Sequence, residues 1–227
     1  MITDSSGDLY GATVNGGDGP NCDDFGGCGV VFEVSPPSSG DGAWVETVLH
    51  SFNFYPSDGA APHGELLIDS HGNLYGTIAS GGAGWCGVVF ELTPPGSGSG
   101  LWNETILSDF TTPNPWLGSN GYAPYAGLIL DSKGNLYGTT SLGGNTPDCG
   151  PGDYCGVVFE LSPPSSGTGL WTETLLHSFA GESDGGAPVA GLVVDHQGNF
   201  YGTTSSGGRD WNGVVFELTH SLRIPQQ

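Results

Sequence analysis

The sequence predicts an all-β fold built from repeated four-stranded antiparallel units, and three observations support this prediction. The first is that two phrases recur four times, an "LYGT"-like segment beginning at Leu9, Leu74, Leu136 and Phe200, and "GVVFE" beginning at Gly29, Gly87, Gly156 and Gly213. The second is that 42 glycines and 16 prolines occur beside 11% aromatic residues, which is typical of short strands joined by many turns. The third is that no window shows the period of an amphipathic helix.

Each unit of 62 to 65 residues contains four apolar segments. In the second unit these are "GELLIDS" at 64–70, the "LYGT" segment, "GVVFEL" and "WNETILSDF" at 102–110. A Gly-Asn pair between the first two segments favours a tight hairpin turn, and the prolines after the third segment end a strand. Four short antiparallel strands at a fixed period predict the blade of a β-propeller.

The repeat predicts one propeller domain over 1–227 with about four blades, the last of them incomplete. The blades are expected at roughly 1–53, 64–110, 127–179 and 191–219. The last unit lacks a "WxET" strand, and the chain begins with a first strand. Either a ring tolerates one three-stranded blade, or the chain is a piece of a longer array, which is the interpretation we favour.

Two features of the strands lead to packing expectations. The third strands are nearly continuous apolar runs, so we expect both of their faces to be covered, whereas the fourth strands alternate and should be half-exposed. The glycine after tyrosine in "LYG" is expected to let neighbouring backbones approach closely. Trp44, Trp102 and Trp171 repeat with the unit and are expected to pack.

These phrases, in fixed order over residues 2–219, resemble the GloVer tandem repeat of large bacterial secreted or surface-anchored proteins. The resemblance implies a propeller-like fold and an extracellular or cell-surface location. It implies no established enzymatic activity, so no catalytic residue is carried over. The sequence departs from the pattern at Ser108 and Asp109, at Asp8, and in the incomplete last unit.

Charge excludes some partners. Three basic residues stand against 24 acidic ones, a net charge of -21, and phosphate recognition needs several cationic contacts. Nucleic acid is therefore excluded as a partner. Membrane insertion is not expected either, because no apolar run approaches the roughly 20 residues of a membrane-spanning helix. No signal peptide is visible, although the chain begins inside a repeat.

The cysteines predict two local disulfides, Cys22–Cys28 and Cys149–Cys155, because each pair accompanies a lengthened loop before "GVVFE". Disulfides indicate an oxidising, extracellular compartment. A zinc site is the alternative, although no histidine accompanies these cysteines at zinc-finger spacing. Cys86 has no such companion and is expected to be a free thiol or to link two chains.

Loop aromatics are the candidate binding residues. Trp85, Trp116 and Trp211 do not repeat in register by our alignment, and they fall in variable loops, as do Phe25 and Tyr154. Exposed aromatic rings can stack on sugar rings through their apolar faces.

Recurring acids suggest turns first and calcium second. Asp58 and Asp184 recur in "SDG", which favours an Asx turn and leaves calcium as a possible cofactor if backbone carbonyls complete the shell. Asp69, Asp131 and Asp195 precede the hairpin turns and are expected to cap them. His50 and His177 recur in "LHSF", which favours packing or a hydrogen bond over catalysis.

Three functions remain open. The first is a non-enzymatic extracellular domain that binds a polysaccharide or a protein partner through variable loops. The second is a secreted polysaccharide lyase or glycoside hydrolase, which would need a convergent set of acids and bases that breaks the repeat; the sequence offers none. The third is a structural spacer in a longer array, with self-association through the incomplete blade or Cys86.

Overall fold

The computed structural model of the chain describes residues 1–19, 22, 26–54, 58–96, 102–111, 119–144, 155–166 and 169–219. All regular secondary structure in these ranges is β-strand, and the strands form several antiparallel sheets. The all-β prediction is therefore confirmed. Within the same ranges, no helix has the length and hydropathy that crossing a membrane would require.

Each repeat contributes one sheet, in chain order. Sheet 1 consists of β1 (Ile2–Thr3), β2 (Leu9–Thr13), β3 (Val30–Ser35) and β4 (Val45–Ser51). Sheet 2 consists of β5 (Ala60–Pro62), β6 (Leu67–Ile68), β7 (Leu74–Ser80), β8 (Val88–Thr93) and β9 (Asn103–Asp109). Sheet 3 consists of β11 (Ile129–Leu130), β12 (Leu136–Thr140), β14 (Val157–Ser162) and β15 (Thr172–Ser178). Sheet 4 consists of β16 (Val193–Val194), β17 (Phe200–Thr203) and β18 (Val215–Leu218).

The links between repeats add strands that the sequence did not predict. β5 pairs with β7, and β10 (Ser119–Tyr122) pairs with β13 (Leu142–Gly144). β5 therefore extends sheet 2 beside its second strand, whereas β10 and β13 form a separate two-stranded sheet directly after the second strand β12. The first strands are shorter than predicted, since β6 covers two residues of the 64–70 segment. The residues before β6 instead lie against the next repeat, where Thr77 donates to the Ala126 carbonyl beside Gly64.

The hydrophobic core lies between repeats, not within them. Each inner sheet has a preceding face, which in sheet 2 carries Leu74, Phe90 and Leu92, and a following face, which carries Tyr75, Val89 and Leu107. The preceding face of sheet 2 shares a cluster with sheet 1, and its following face shares one with sheet 3. A third cluster joins sheets 3 and 4. Phe90 and Val89 are both fully buried, as are Phe159 and Val158, which confirms for sheets 2 and 3 that the third strand is covered on both faces. For sheet 4 the prediction is wrong, because Val215 is 80% exposed.

Phenylalanine pairs connect each repeat to the next. The last residue of "LHSF" in one repeat contacts the phenylalanine of "GVVFE" in the following repeat. Three such pairs have ring centroids 5.2, 5.3 and 5.0 Å apart in edge-to-face geometry: Phe52–Phe90, Phe110–Phe159 and Phe179–Phe216. This geometry is favourable for aromatic rings beyond the area they bury.

The glycine of "LYG" makes room for the same phenylalanine. A Cβ placed on Gly138 would lie 2.6 Å from Cζ of Phe159, and Gly11, Gly76 and Gly202 are equivalent. The expectation that this glycine admits a neighbouring backbone is wrong, because the group that covers it is an aromatic ring from the adjacent strand of its own sheet. The "LYGT" segment thus supplies the glycine, and "GVVFE" supplies the phenylalanine, of a contact that recurs in each of sheets 1 to 4.

The cysteines support the loops before the third strands. Cys22 and Cys28 form the predicted disulfide, and both are buried. Cys155 is also disulfide-bonded, and its expected companion Cys149 lies outside the described residues. Cys86 is a buried thiol whose Sγ contacts the Gly84 carbonyl at 3.0 Å. Its burial leaves little surface for a disulfide to another chain.

The Phe-over-Gly packing predicts a specific sensitivity to one methyl group. Gly138→Ala should lower the free energy of unfolding by about 1–3 kcal/mol, because the new Cβ must displace the buried Phe159 ring. Gly40→Ala is the control, since a Cβ there meets nothing within 4 Å. Urea unfolding of both variants measures the difference. Equal stabilities of the two variants would contradict the packing described above.

Candidate functional site

The loop between the second and third strands presents a tryptophan in sheets 2 and 4. Trp85 and Trp211 expose 56% and 69% of their surface. The N–H of each donates to the carbonyl three residues earlier, that of Gly82 at 3.3 Å and that of Gly208 at 3.2 Å. Both have a left-handed backbone, with φ of 60° and 59°. The two loops are the same turn.

This equivalence corrects the alignment of the sequence. Trp85 and Trp211 were expected out of register, but each stands two residues before the glycine that opens "GVVFE". The flanking residues "SGGAG" and "SGGRD" have the same length, and the two double glycines adopt positive φ in both loops. The different residues between glycine and tryptophan obscured a shared turn.

The backbone of these tryptophans is strained. A bulky residue in the left-handed region costs of order 1–3 kcal/mol, which glycine at the same place would not pay. Their side chains are more than half exposed, so burial offsets little of that cost. Strained residues that folding does not require are concentrated at binding sites.

The loop that carries Trp85 is fixed to the sheet. Asp109, at the end of β9, accepts hydrogen bonds from the N–H groups of Ala83 at 2.9 Å and Gly84 at 3.3 Å. The Trp85 ring lies edge-to-face with Phe54, with centroids 5.1 Å apart. The exposed ring is therefore held in one orientation. The other predicted aromatics, Phe25, Trp116 and Tyr154, lie outside the described residues.

The acids predicted as calcium ligands lie where consecutive repeats meet. Asp58 accepts a hydrogen bond from the Asn53 N–H at 2.8 Å, and its other oxygen lies 3.3 Å from His50 Nε2. Glu104 of the next repeat approaches the same His50 nitrogen at 3.7 Å. Asp184 makes the matching contact to His177 at 3.2 Å. The interpretation of the two histidines as hydrogen-bonding residues is confirmed.

A third version of this cluster uses neutral partners. At the junction of repeats 2 and 3, Ser108 and Asn120 donate to one oxygen of Glu173, at 3.0 and 2.8 Å. They occupy the places of His50 and Asp58. The glutamate of "WxET" is common to two of the three clusters, as Glu104 and Glu173, and both contact the preceding repeat. The last unit lacks "WxET", so the pair of His177 and Asp184 has no equivalent glutamate. Sequence reasoning missed this role, although the recurrence of "WxET" was its signal.

Burial perturbs the ionisation of these glutamates. Desolvation, a hydrogen bond to Asp58 and the Asp58 charge raise the pKa of Glu104 well above its ordinary value. Desolvation also raises the pKa of Glu173, and the hydrogen bonds from Asn120 and Ser108 oppose that rise. Asp58 and His50 therefore face Glu104 where the neutral donors Asn120 and Ser108 face Glu173.

The cluster offers a poor set of calcium ligands. His50, Asp58 and Glu104 place one ligand atom each within 4.8 Å of one another. Calcium prefers six to eight oxygens, and here one of three groups is an imidazole nitrogen. Ser108 and Asn120 fill the same role with hydrogen bonds, so the two clusters that contain a glutamate share a polar contact between repeats.

The acids that precede the hairpins cap them as predicted. Asp69 accepts from the N–H groups of His71 and Asn73, from the Asn73 amide and from the Tyr75 hydroxyl, at 2.8–3.2 Å. Burial alone would raise the pKa of Asp69, but these hydrogen bonds lower it. Asp131 and Asp195 make the same four contacts. The carboxylate oxygens of these three aspartates are therefore used as hydrogen-bond acceptors within the turns.

Comparison with known protein families gives one result. The family described as the Gloeobacter/Verrucomicrobia repeat matches residues 1–216, which is nearly the whole chain. A search of curated proteins found no match.

The buried glutamate predicts a pH-dependent stability. Because the folded pKa of Glu104 is raised above 4.5, the folded state binds the proton more tightly, and stability should fall as pH rises above about 4.5. Glu104→Gln removes this ionisation and should flatten the decline. Glu46→Gln is the control, because Glu46 holds the equivalent place in repeat 1 and is exposed. The urea midpoint of each variant is measured from pH 5 to about 9. If the midpoint of Glu104→Gln falls with pH as steeply as that of the wild type, the raised pKa of Glu104 is contradicted.

Proposed function

The chain belongs to the Gloeobacter/Verrucomicrobia repeat family, and from that premise we propose that it is a non-enzymatic extracellular or cell-surface domain that binds a polysaccharide through its loops. The observation that carries this proposal is the pair of exposed, strained tryptophans in equivalent turns, Trp85 and Trp211. A flat, fixed, apolar ring is the group that stacks on a sugar ring.

Charge narrows the kind of polysaccharide. With a net charge of -21, the domain repels uronic-acid polymers at low ionic strength. A neutral glycan carries no such penalty and presents apolar sugar faces to tryptophan. Neutral plant or microbial polysaccharides are therefore the ligand class that we propose, and a protein partner is the alternative for the same loops.

We also propose that the four sheets are consecutive blades of a β-propeller. Four antiparallel strands per repeat in meander order are supporting evidence. A cavity of about 530 Å³ gives further support, because it is lined from all four repeats by residues in or beside the first strands: Ile2, Leu67, Leu128 and Leu192. Convergence of first strands on one space is typical of a propeller axis.

A carbohydrate-active enzyme is disfavoured by the place of the acids. A glycosidase needs two carboxyl groups on either side of an accessible sugar bond. Asp58 and Glu104 instead lie largely buried between repeats, with side-chain exposures of 15% and 16%. The pair is also replaced by Asn120 and Glu173 at the next junction. Such placement suits a contact between repeats.

The experiment is affinity electrophoresis of the full chain through gels that contain neutral β-glucans, with uronic-acid polymers as comparison. The wild-type chain should be retarded by at least one neutral glycan. The variant with both Trp85→Gly and Trp211→Gly should lose most of that retardation. Its unfolding midpoint should stay equal or rise, because glycine adopts positive φ cheaply.

Matched controls make the result specific. Leu170→Gly removes another exposed apolar side chain, 92% exposed, from the turn before β15, and it should leave retardation unchanged. Each gel is run with calcium and with a chelator, which tests the cofactor suggested by Asp58 and Asp184. Release of reducing sugars would favour the enzyme. Absence of any retardation would favour a protein partner or a structural spacer.

A further inference from the structure

The internal interfaces are three copies of one contact. In each, the following face of one sheet packs on the preceding face of the next. Val31, Val89 and Val158 hold the same place on three following faces and are all fully buried. The contact is therefore a property of the repeat and does not depend on one pair of sheets.

The following face of sheet 4 is exposed. Val215, which is equivalent to those three valines, is 80% exposed. Val193 is 64% exposed, whereas its equivalents Leu67 and Ile129 pack against the core clusters between sheets. Tyr201, equivalent to the buried Tyr75 and Tyr137, is only half-buried. The following face of sheet 4 therefore has the same kinds of residue that form the internal interfaces, but no sheet of the described residues packs on it.

The preceding face of sheet 1 is exposed in the complementary way. Trp44 is 50% exposed and Val48 is 48% exposed, whereas their equivalents in sheet 2, Trp102 and Ile106, pack against the core between sheets 1 and 2. Phe32 is partly exposed, whereas the equivalent Phe90 and Phe159 are fully buried. One molecule thus displays both halves of the contact that it makes three times internally.

We propose that two copies of the chain bind head to tail, with the preceding face of sheet 1 in one copy packed on the following face of sheet 4 in the other. The occupant of each face is another copy of the chain because the complementary surface is present on the same molecule. Trp44 would then meet Tyr201 as Trp102 meets Tyr10, whose ring centroids are 6.4 Å apart in edge-to-face geometry.

The two faces are different, so the contact is heterologous. Such contacts generate closed rings or open chains of molecules, never a dimer through one shared patch. The net charge of -21 opposes the approach of two copies, so salt should strengthen the association. An association held together by ion pairs would weaken in salt instead.

The test is sedimentation velocity of the full chain across a range of concentrations and sodium chloride. Val215→Glu blocks the face of sheet 4, and Val48→Glu blocks the face of sheet 1. Each variant alone should associate about a hundredfold more weakly than the wild type, because the contact would bury an unpaired charge. An equimolar mixture should form a complex of two chains and stop there, since each variant keeps one working face.

Controls separate this contact from other causes. Leu170→Glu, at a 92% exposed leucine on neither face, should associate like the wild type, and circular dichroism should show that all variants fold. A wild-type chain that stays monomeric at every concentration and salt level overturns the proposal. So does a mixture of the two variants that stays monomeric. Loss of association in Val215→Glu but not in Val48→Glu would indicate a symmetric contact and would also overturn it.

Discussion

The structure depends on the packing of one phenylalanine per repeat. In sheet 3, Phe159 lies over Gly138 within its own sheet and packs edge-to-face with Phe110 from the sheet before. Burying such a ring contributes about 1.5–3 kcal/mol, and the edge-to-face contact adds to that. A single repeat could satisfy only the first of these contacts. Each sheet therefore needs an adjacent sheet to bury its phenylalanine, and the repeated sequence provides that adjacent sheet.

The polar contacts follow from this dependence. Stacking of the sheets places the "WxET" glutamates of repeats 2 and 3 against the preceding repeat, where a buried carboxylate is stabilised by polar neighbours. Repeat 1 supplies His50 and Asp58, and repeat 2 supplies Ser108 and Asn120. The loops before the third strands are outside these contacts. They can vary in length and present Trp85 and Trp211 without disturbing the stack.

Sequence reasoning predicted the sheets well because the strand signals are periodic and local. The Asp69 turn, the Cys22–Cys28 disulfide and the doubly covered third strands of sheets 2 and 3 all depend on residues close in sequence or on simple alternation. It failed where the cause is a side-chain contact between residues distant in sequence. Gly138 packs against the Phe159 ring, twenty-one residues away in the same sheet, and Glu104 lies beside Asp58 of the preceding repeat. The shared turn of Trp85 and Trp211 was missed because backbone φ, not residue identity, defines it.

The most direct test of this account is a double-mutant cycle on Phe110 and Phe159, whose rings meet between sheets 2 and 3. Phe110→Leu, Phe159→Leu and the double variant are unfolded in urea, and Phe52→Leu with Phe159→Leu serves as a pair that shares no contact. The account predicts a coupling energy of about 0.5–1.5 kcal/mol for the first pair and near-additivity for the second. Additive effects at both pairs would contradict the claim that phenylalanine contacts between repeats hold the stack together.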